Sequence, residues 1–430
     1  MSTKDSLAAG KMGSWIAFGR IFMGLFWLYE IILGHNWKIG HPGWMGAGAG
    51  EWLTEDILRA FERGTWGWFH AMAESFMLPH AAVMSYFVTF LQLLVALSFI
   101  FGIFTKLMGV AGAFMVPVMF FTGHSRIPPF FALGHIFVLA SNAGMYHGFD
   151  ACLYGKLSEV RGKAAGLIRE LITFNFIGLN LRRYFAPVLA FIGLYFLLQT
   201  PVMDHVSLRM SGLGLSVLFA LGAAFLYLSA KGEDKWMLIS RGLQIFIGFK
   251  FLHEIWIRFP AALNGLPGWS SGEQLNEVFA FIAANHWSFA GGIVNTVFMP
   301  LGSFWAFVFA VVQTAVGIML IFGMNTRLAS KAGIAYLAVL ILLGFTRYAP
   351  FALGFLILGY GMEKGGIALP RSFAPVFGAV FVLFTIIAFA GGIIPGDYRE
   401  QMGPVVAIMV ALFALPLSAT AFFQSKEVSS

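Results

Sequence analysis

The sequence predicts an all-α polytopic membrane protein, with about twelve transmembrane helices in two parallel six-helix repeats. Three observations predict it. Hydrophobic residues make up 59% of the 430 and charged residues only 11%, with a mean hydropathy of +0.81; a soluble domain is roughly 45–50% apolar and about 25% charged. Apolar windows of spanning length recur along the whole chain. The two halves also repeat each other, motif by motif.

The windows come in order. The first half offers roughly 13–34, 82–104, 107–122, 129–147, 184–200 and 209–230. The second offers roughly 241–259, 302–323, 328–345, 349–362, 373–395 and 403–423. The N-terminal segment reads as a retained first helix, since no small-residue cleavage site follows it. Long connections, 35–81 and 260–301, follow the first helix of each half; their Trp-rich, partly charged runs predict short helices at headgroup level. The chain divides into a four-helix unit at 1–150, a connection and helix pair at 151–236, a second four-helix unit at 237–366, and a second pair with the tail at 367–430.

The repeat rests on matched residues. Pro42-Gly43-Trp44 corresponds to Pro267-Gly268-Trp269, Gly50-Glu51 to Gly272-Glu273, and Gln92 to Gln313. Phe101-Gly102 corresponds to Phe322-Gly323, Arg126 to Arg347, and Phe185-Ala186-Pro187 to Phe373-Ala374-Pro375. Six helices per repeat put both copies the same way up. Acidic residues outnumber basic ones in 35–81, whereas 148–183 holds six Lys or Arg against three Asp or Glu. The positive-inside rule then places both termini in the cytoplasm of a bacterial or archaeal inner membrane, with the long connections outside. The net charge of +7 is accounted for by these loops and does not indicate nucleic-acid binding. One cysteine, Cys152, and no CxxC motif exclude an internal disulfide and any encoded c-type haem or iron–sulfur site.

Candidate chemistry starts from Glu30 and Glu254, at the same place in matched apolar helices. An acid there is costly and needs a partner. Arg126 and Arg347 enter the fourth helix of their units at about the same depth, giving the expected pairs Glu30–Arg126 and Glu254–Arg347. A guanidinium can hold a carboxylate or a small oxyanion bidentately; the simpler alternative is an ion pair that only braces the bundle. His35, His41, His70, His80 and His124 gather on the same side, with His135 inside the fourth helix. Most are missing from the second half, so the first unit is the one expected to keep a working site. Scattered histidines without HExxH spacing give no metal site. Trp37 and Trp44 begin a Trp-rich run that reads either as an aromatic belt or as a wall for a flat quinone ring, with His35 or His135 bonding its carbonyl. The Gly43–Gly50 run lacks a phosphate-loop pattern and reads as a turn.

The Arg20-x-x-x-Gly24-x-x-x-x-x-Glu30 helix, the Gln92 helix ending in Phe-Gly, the Thr-Lys/Arg-Leu turns at 105–107 and 326–328, and the Arg126 and Arg347 segments resemble the DoxX/DoxD family of small membrane proteins. The resemblance covers roughly 13–150 and 237–365. It implies a four-helix bundle in each unit. For the DoxD branch it further implies a thiosulfate:quinone oxidoreductase: thiosulfate as donor, tetrathionate as product, quinone as acceptor and a small DoxA-like partner subunit. On that reading Arg126 with His124 holds the anion, Glu30 orients Arg126 or accepts a proton, and Arg347 with Glu254 repeats the arrangement. Two other functions fit the sequence: a non-catalytic subunit of a larger respiratory complex, and a small-anion carrier.

Overall fold

The computed structural model describes residues 3–34, 37–124, 128–160, 162–173, 179–258, 271–362, 366–397 and 400–429. Among them every regular element is helical, and no strand occurs. Among the described residues seven helices are long and apolar enough to cross a membrane: Gly10–Ile32, Ala81–Phe101, Leu181–Val202, Val206–Ala230, Ser288–Phe322, Phe373–Ala390 and Met402–Ser425. Thr105–Phe121, Phe131–Ser141 and Ala349–Gly361 are shorter apolar helices. Helices Lys235–Leu252 and Thr326–Leu342 cover the remaining two windows. The former starts before its apolar window, because the Asp234 carboxylate accepts the Met237 N–H at 2.7 Å and caps it.

The chain folds into two compact units, Gly19–Gly242 and Met1–Phe18 with Leu243–Ser430. In the Gly19–Gly242 unit, Gly24 lets the first helix lie against Ala81–Phe101. A Cβ at Gly24 would sit 2.7 Å from both the Ala96 carbonyl oxygen and the Ile100 nitrogen. Gly112 makes the equivalent room for His135, whose Cε1 would collide with an added Cβ. Trp66, from the first connection, is buried with its ring edge-on to Phe121 and Phe196, packing Leu179–Gln199 onto the rest.

In the other unit, a Cβ at Gly248 would meet the Gly317 carbonyl at 2.7 Å, and one at Gly333 would collide with Phe355 Cε1. Trp15 donates to the Ile367 carbonyl at 2.9 Å. The Gln424 side-chain oxygen accepts the Leu369 N–H at 2.7 Å, and Ser418 donates to the Ala374 carbonyl at 2.7 Å, tying Phe373–Ala390 to Met402–Ser429.

Positions matched in the sequence share their geometry. Gly102 and Gly323 both end a long helix with positive φ, and Gly50 and Gly272 both precede a helix with positive φ. A Cβ at either of the latter would lie within 2.5 Å of the backbone nitrogen of Ala82 or Ser303. The Gly43–Gly50 run is thus a closed turn that starts within helix Pro42–Met45, with the Gly50 N–H bonded to the Gly43 carbonyl at 3.1 Å. Close approach, more than backbone freedom, dictates glycine at these points. Gly24→Ala is expected to destabilise by about 1–3 kcal/mol, the range for overpacking, because both atoms it meets are backbone. Gly155→Ala meets nothing within 4 Å and serves as the control; equal thermal midpoints for the two variants in detergent would refute the close-packing account.

Candidate functional site

Glu30 lies in the last turn of Thr3–Ile32 and is only 3% exposed. The chain then folds back over the helix end: the Lys38 and Ile39 N–H groups bond to the Ile31 carbonyl at 2.9 and 3.0 Å. This brings Lys38, also 3% exposed, within the electrostatic field of Glu30. Burial lowers the Lys38 pKa from 10.5 to about 8, with Glu30 and Asp56 opposing that shift. The unfolded chain therefore binds more protons than the folded one between about pH 8 and 10.5. This lysine weakens the fold at neutral pH, and the penalty is shed as pH rises through that window.

The aromatic residues of the first connection wrap these charges. Lys38 Nζ sits 4.4 Å from the centre of the Trp44 ring, and Trp44 is buried, with its carbonyl accepting from Ser85 at 2.8 Å. Trp37 donates to the Ile39 carbonyl at 2.6 Å. His41 caps the Pro42–Met45 turn, accepting the Gly43 N–H at 3.0 Å. Its ring is edge-on to Trp37 at 4.7 Å and tilted over Trp52 at 4.1 Å. His124 shares a 2.9 Å hydrogen bond with the Thr122 hydroxyl. Burial lowers its pKa first; Arg63, Arg59 and Lys38 lower it further, while Asp56 raises it. Arg63 donates to the Thr122 carbonyl at 3.3 Å and Thr65 to the Phe121 carbonyl at 2.7 Å, which fixes the connection against this segment. One end of the Gly19–Gly242 unit thus gathers Glu30, Lys38, Asp56, Arg63 and His124.

His35 and Arg126 lie outside the described residues, as does the side chain of Arg347, so both expected Glu–Arg pairs fall outside what the structure describes. What it does show for Glu254, which lies in the π-helical turn His253–Arg258 that continues Lys235–Leu252, is a partner one turn earlier. Lys250 Nζ is 3.1 Å from Glu254 Oε1 and 3.3 Å from His253 Nδ1, and all three side chains are buried. The two lysines were missed in the sequence. Lys250 carries the plain signal of an acid four residues on; Lys38 carries little, being one lysine between two tryptophans in a connection.

His135 is fully buried in the bundle core. Its Nε2 accepts the Trp27 indole N–H at 3.0 Å, and its ring packs against Phe99 at 5.1 Å. That nitrogen is already engaged, and the residue belongs to the packing of Gly112 against the fourth helix. No group of three His, Cys, Asp or Glu suited to a metal ion occurs among the described residues.

The length and apolar character of these helices are those of a membrane protein, and among the described residues the fold is all-helical. Comparison with family models, with curated proteins and with solved structures gives no match. The likeness to DoxX and DoxD proteins therefore stands on the quoted motifs alone.

Proposed function

We propose that this chain is the membrane-embedded, oxyanion-binding subunit of a quinone-linked oxidoreductase. Thiosulfate is the donor that the resemblance to DoxD implies. The observation that supports it best is the desolvated lysine beside a buried glutamate, with His124 and Arg63 in the same neighbourhood. Ionisable groups held this far from water in a membrane protein mark functional sites more often than scaffolds. On this reading the Lys38 ammonium attracts the dianion, neutral His124 offers it a hydrogen bond, and Glu30 keeps Lys38 charged while the site is empty. Joining two thiosulfates through one S–S bond releases two electrons, and a cationic pocket offsets the repulsion between the two anions.

Lys38 already lies over Trp44, and His41 over Trp52, so no quinone step is assigned to these residues. The wider reading has two six-helix repeats of about twelve helices in an inner membrane, termini cytoplasmic, with a small DoxA-like partner. The matched glycines and helix ends support it.

Thiosulfate affinity tests the proposal, read from tryptophan fluorescence of the purified protein. Binding should weaken as pH rises through about 8, approaching tenfold per unit above that, because the ammonium is lost. Lys38→Met should bind poorly at every pH. Affinity that is flat between pH 7 and 9.5, or unchanged in Lys38→Met, would remove Lys38 from the site. Thiosulfate flux into proteoliposomes without turnover would replace the oxidoreductase with a carrier.

A further inference from the structure

A second cluster of charge lies in the Gly19–Gly242 unit, away from Glu30. Lys106 stands in the first turn of Thr105–Phe121, Arg182 in the first turn of Leu179–Gln199, and Lys235 at the start of Lys235–Leu252. Lys235 lies within the electrostatic field of Lys106 and of Arg182, and Lys106 within that of Arg182. Lys106 Nζ donates to the Thr173 carbonyl at 2.6 Å. Lys235 Nζ lies 4.9 Å from the Trp236 ring centre, and Trp236 meets Tyr146 edge-on at 6.4 Å. Both lysines are half-buried. Among the described residues no carboxylate offsets the charge at either lysine. The nearby acids are engaged elsewhere: Asp150 accepts the Phe104 and Thr105 N–H groups at 2.7 and 3.0 Å, and Asp234 caps its own helix. Burial, followed by repulsion from Lys106 and Arg182, pulls the Lys235 pKa down to about 8.

Three mutually repelling, partly desolvated cations are unfavourable alone and favourable around an anion. Beside Arg182 on its helix, Leu181, Tyr184 and Phe185 are exposed at 43%, 73% and 43%, and the helix surface is largely uncovered by protein. Positive charge at the end of an apolar, uncovered face matches a molecule with an anionic head and hydrocarbon tails. Basic pockets between transmembrane helices bind acidic lipid headgroups in this way. We propose that Lys106, Arg182 and Lys235 form a binding site for the phosphate of an anionic phospholipid, whose acyl chains run along the exposed face of Leu179–Gln199.

Native mass spectrometry of the delipidated full-length protein tests it, with phosphatidylglycerol, phosphatidylcholine and inorganic phosphate titrated separately. Phosphatidylglycerol should bind first and more tightly than phosphatidylcholine. The variant K106Q/R182Q/K235Q should lose roughly a hundredfold in affinity, at about fivefold per cation near the membrane surface. Lys156, Lys163 and Lys231 are exposed, and K156Q/K163Q/K231Q removes equal charge and should keep the lipid. Should the triple variant fold poorly, Arg182→Gln alone is expected to lose about fivefold, with Arg182→Lys retaining most binding. Equal losses in the cluster and control variants would overturn the site in favour of a diffuse charge effect. Inorganic phosphate binding as tightly as the lipid, or no preference over phosphatidylcholine, would overturn the lipid as its occupant.

Discussion

Lys250→Met is expected to be among the most damaging single substitutions in the chain. It removes the ammonium 3.1 Å from Glu254, where the two side chains are 1% and 5% exposed. Breaking a buried pair from one side costs about 3–5 kcal/mol, since the remaining charge keeps its desolvation penalty. The double variant Lys250→Met/Glu254→Gln should recover most of that loss, because a buried pair is worth far less than half of it is harmful. Unfolding midpoints of the two single variants and the double variant in the same detergent give the coupling. A double variant as unstable as the sum of the singles would show that the two side chains do not act together.

Arg20→Met should be comparably severe for a different reason. Arg20 is fully buried, and its guanidinium donates to the carbonyls of Phe99, Ile100, Tyr146 and His147. It closes the C-terminal end of Ala81–Phe101 and holds the turn after the fourth helix against it. Leaving buried acceptors without donors costs about 1–3 kcal/mol each, so a loss of about 3–5 kcal/mol is expected even after relaxation. Asp150 is the second half of this joint, since its carboxylate caps Thr105–Phe121 through the Phe104 and Thr105 N–H groups. Asp150→Ala is expected to cost about 1 kcal/mol, as lost caps do. Protease sensitivity of the 102–106 and 143–148 segments reads both, and an Arg20→Met protein that resists cleavage like the parent would contradict the role given to Arg20.

Much of the fold is legible in the sequence because lipid permits few solutions. Each apolar window must satisfy its backbone internally and so becomes a helix. The boundaries shift where polar capping intervenes, as at Asp234, since hydropathy windows do not see a cap. The glycine correspondences carry further than their residue type suggests: Gly24 and Gly248 mark helix contacts, and Gly50 and Gly272 mark a turn pressed onto the next helix. The site is less legible. That Glu30 and Glu254 are buried follows from their position in apolar helices. The lysines facing them do not occupy matching positions, so a search for a repeated cation passes over both. His135 lies in a packed core, a setting its place in an apolar window does predict, but its Nε2 bond to the Trp27 indole is not legible in the sequence.

The displaced lysines have a consequence for how each acid stays neutralised. In the second unit the counter-charge rides on the same helix as its acid, one turn away, and any rigid movement of that helix carries both. In the first, the ammonium arrives on the 35–81 connection and is secured to the helix by hydrogen bonds from Lys38 and Ile39 to Ile31. A cut, an insertion or a lifting of that segment would strip Glu30 of this counter-ion while leaving every membrane helix intact. This lysine can therefore move independently of the helix that bears Glu30, whereas Lys250 moves with Glu254.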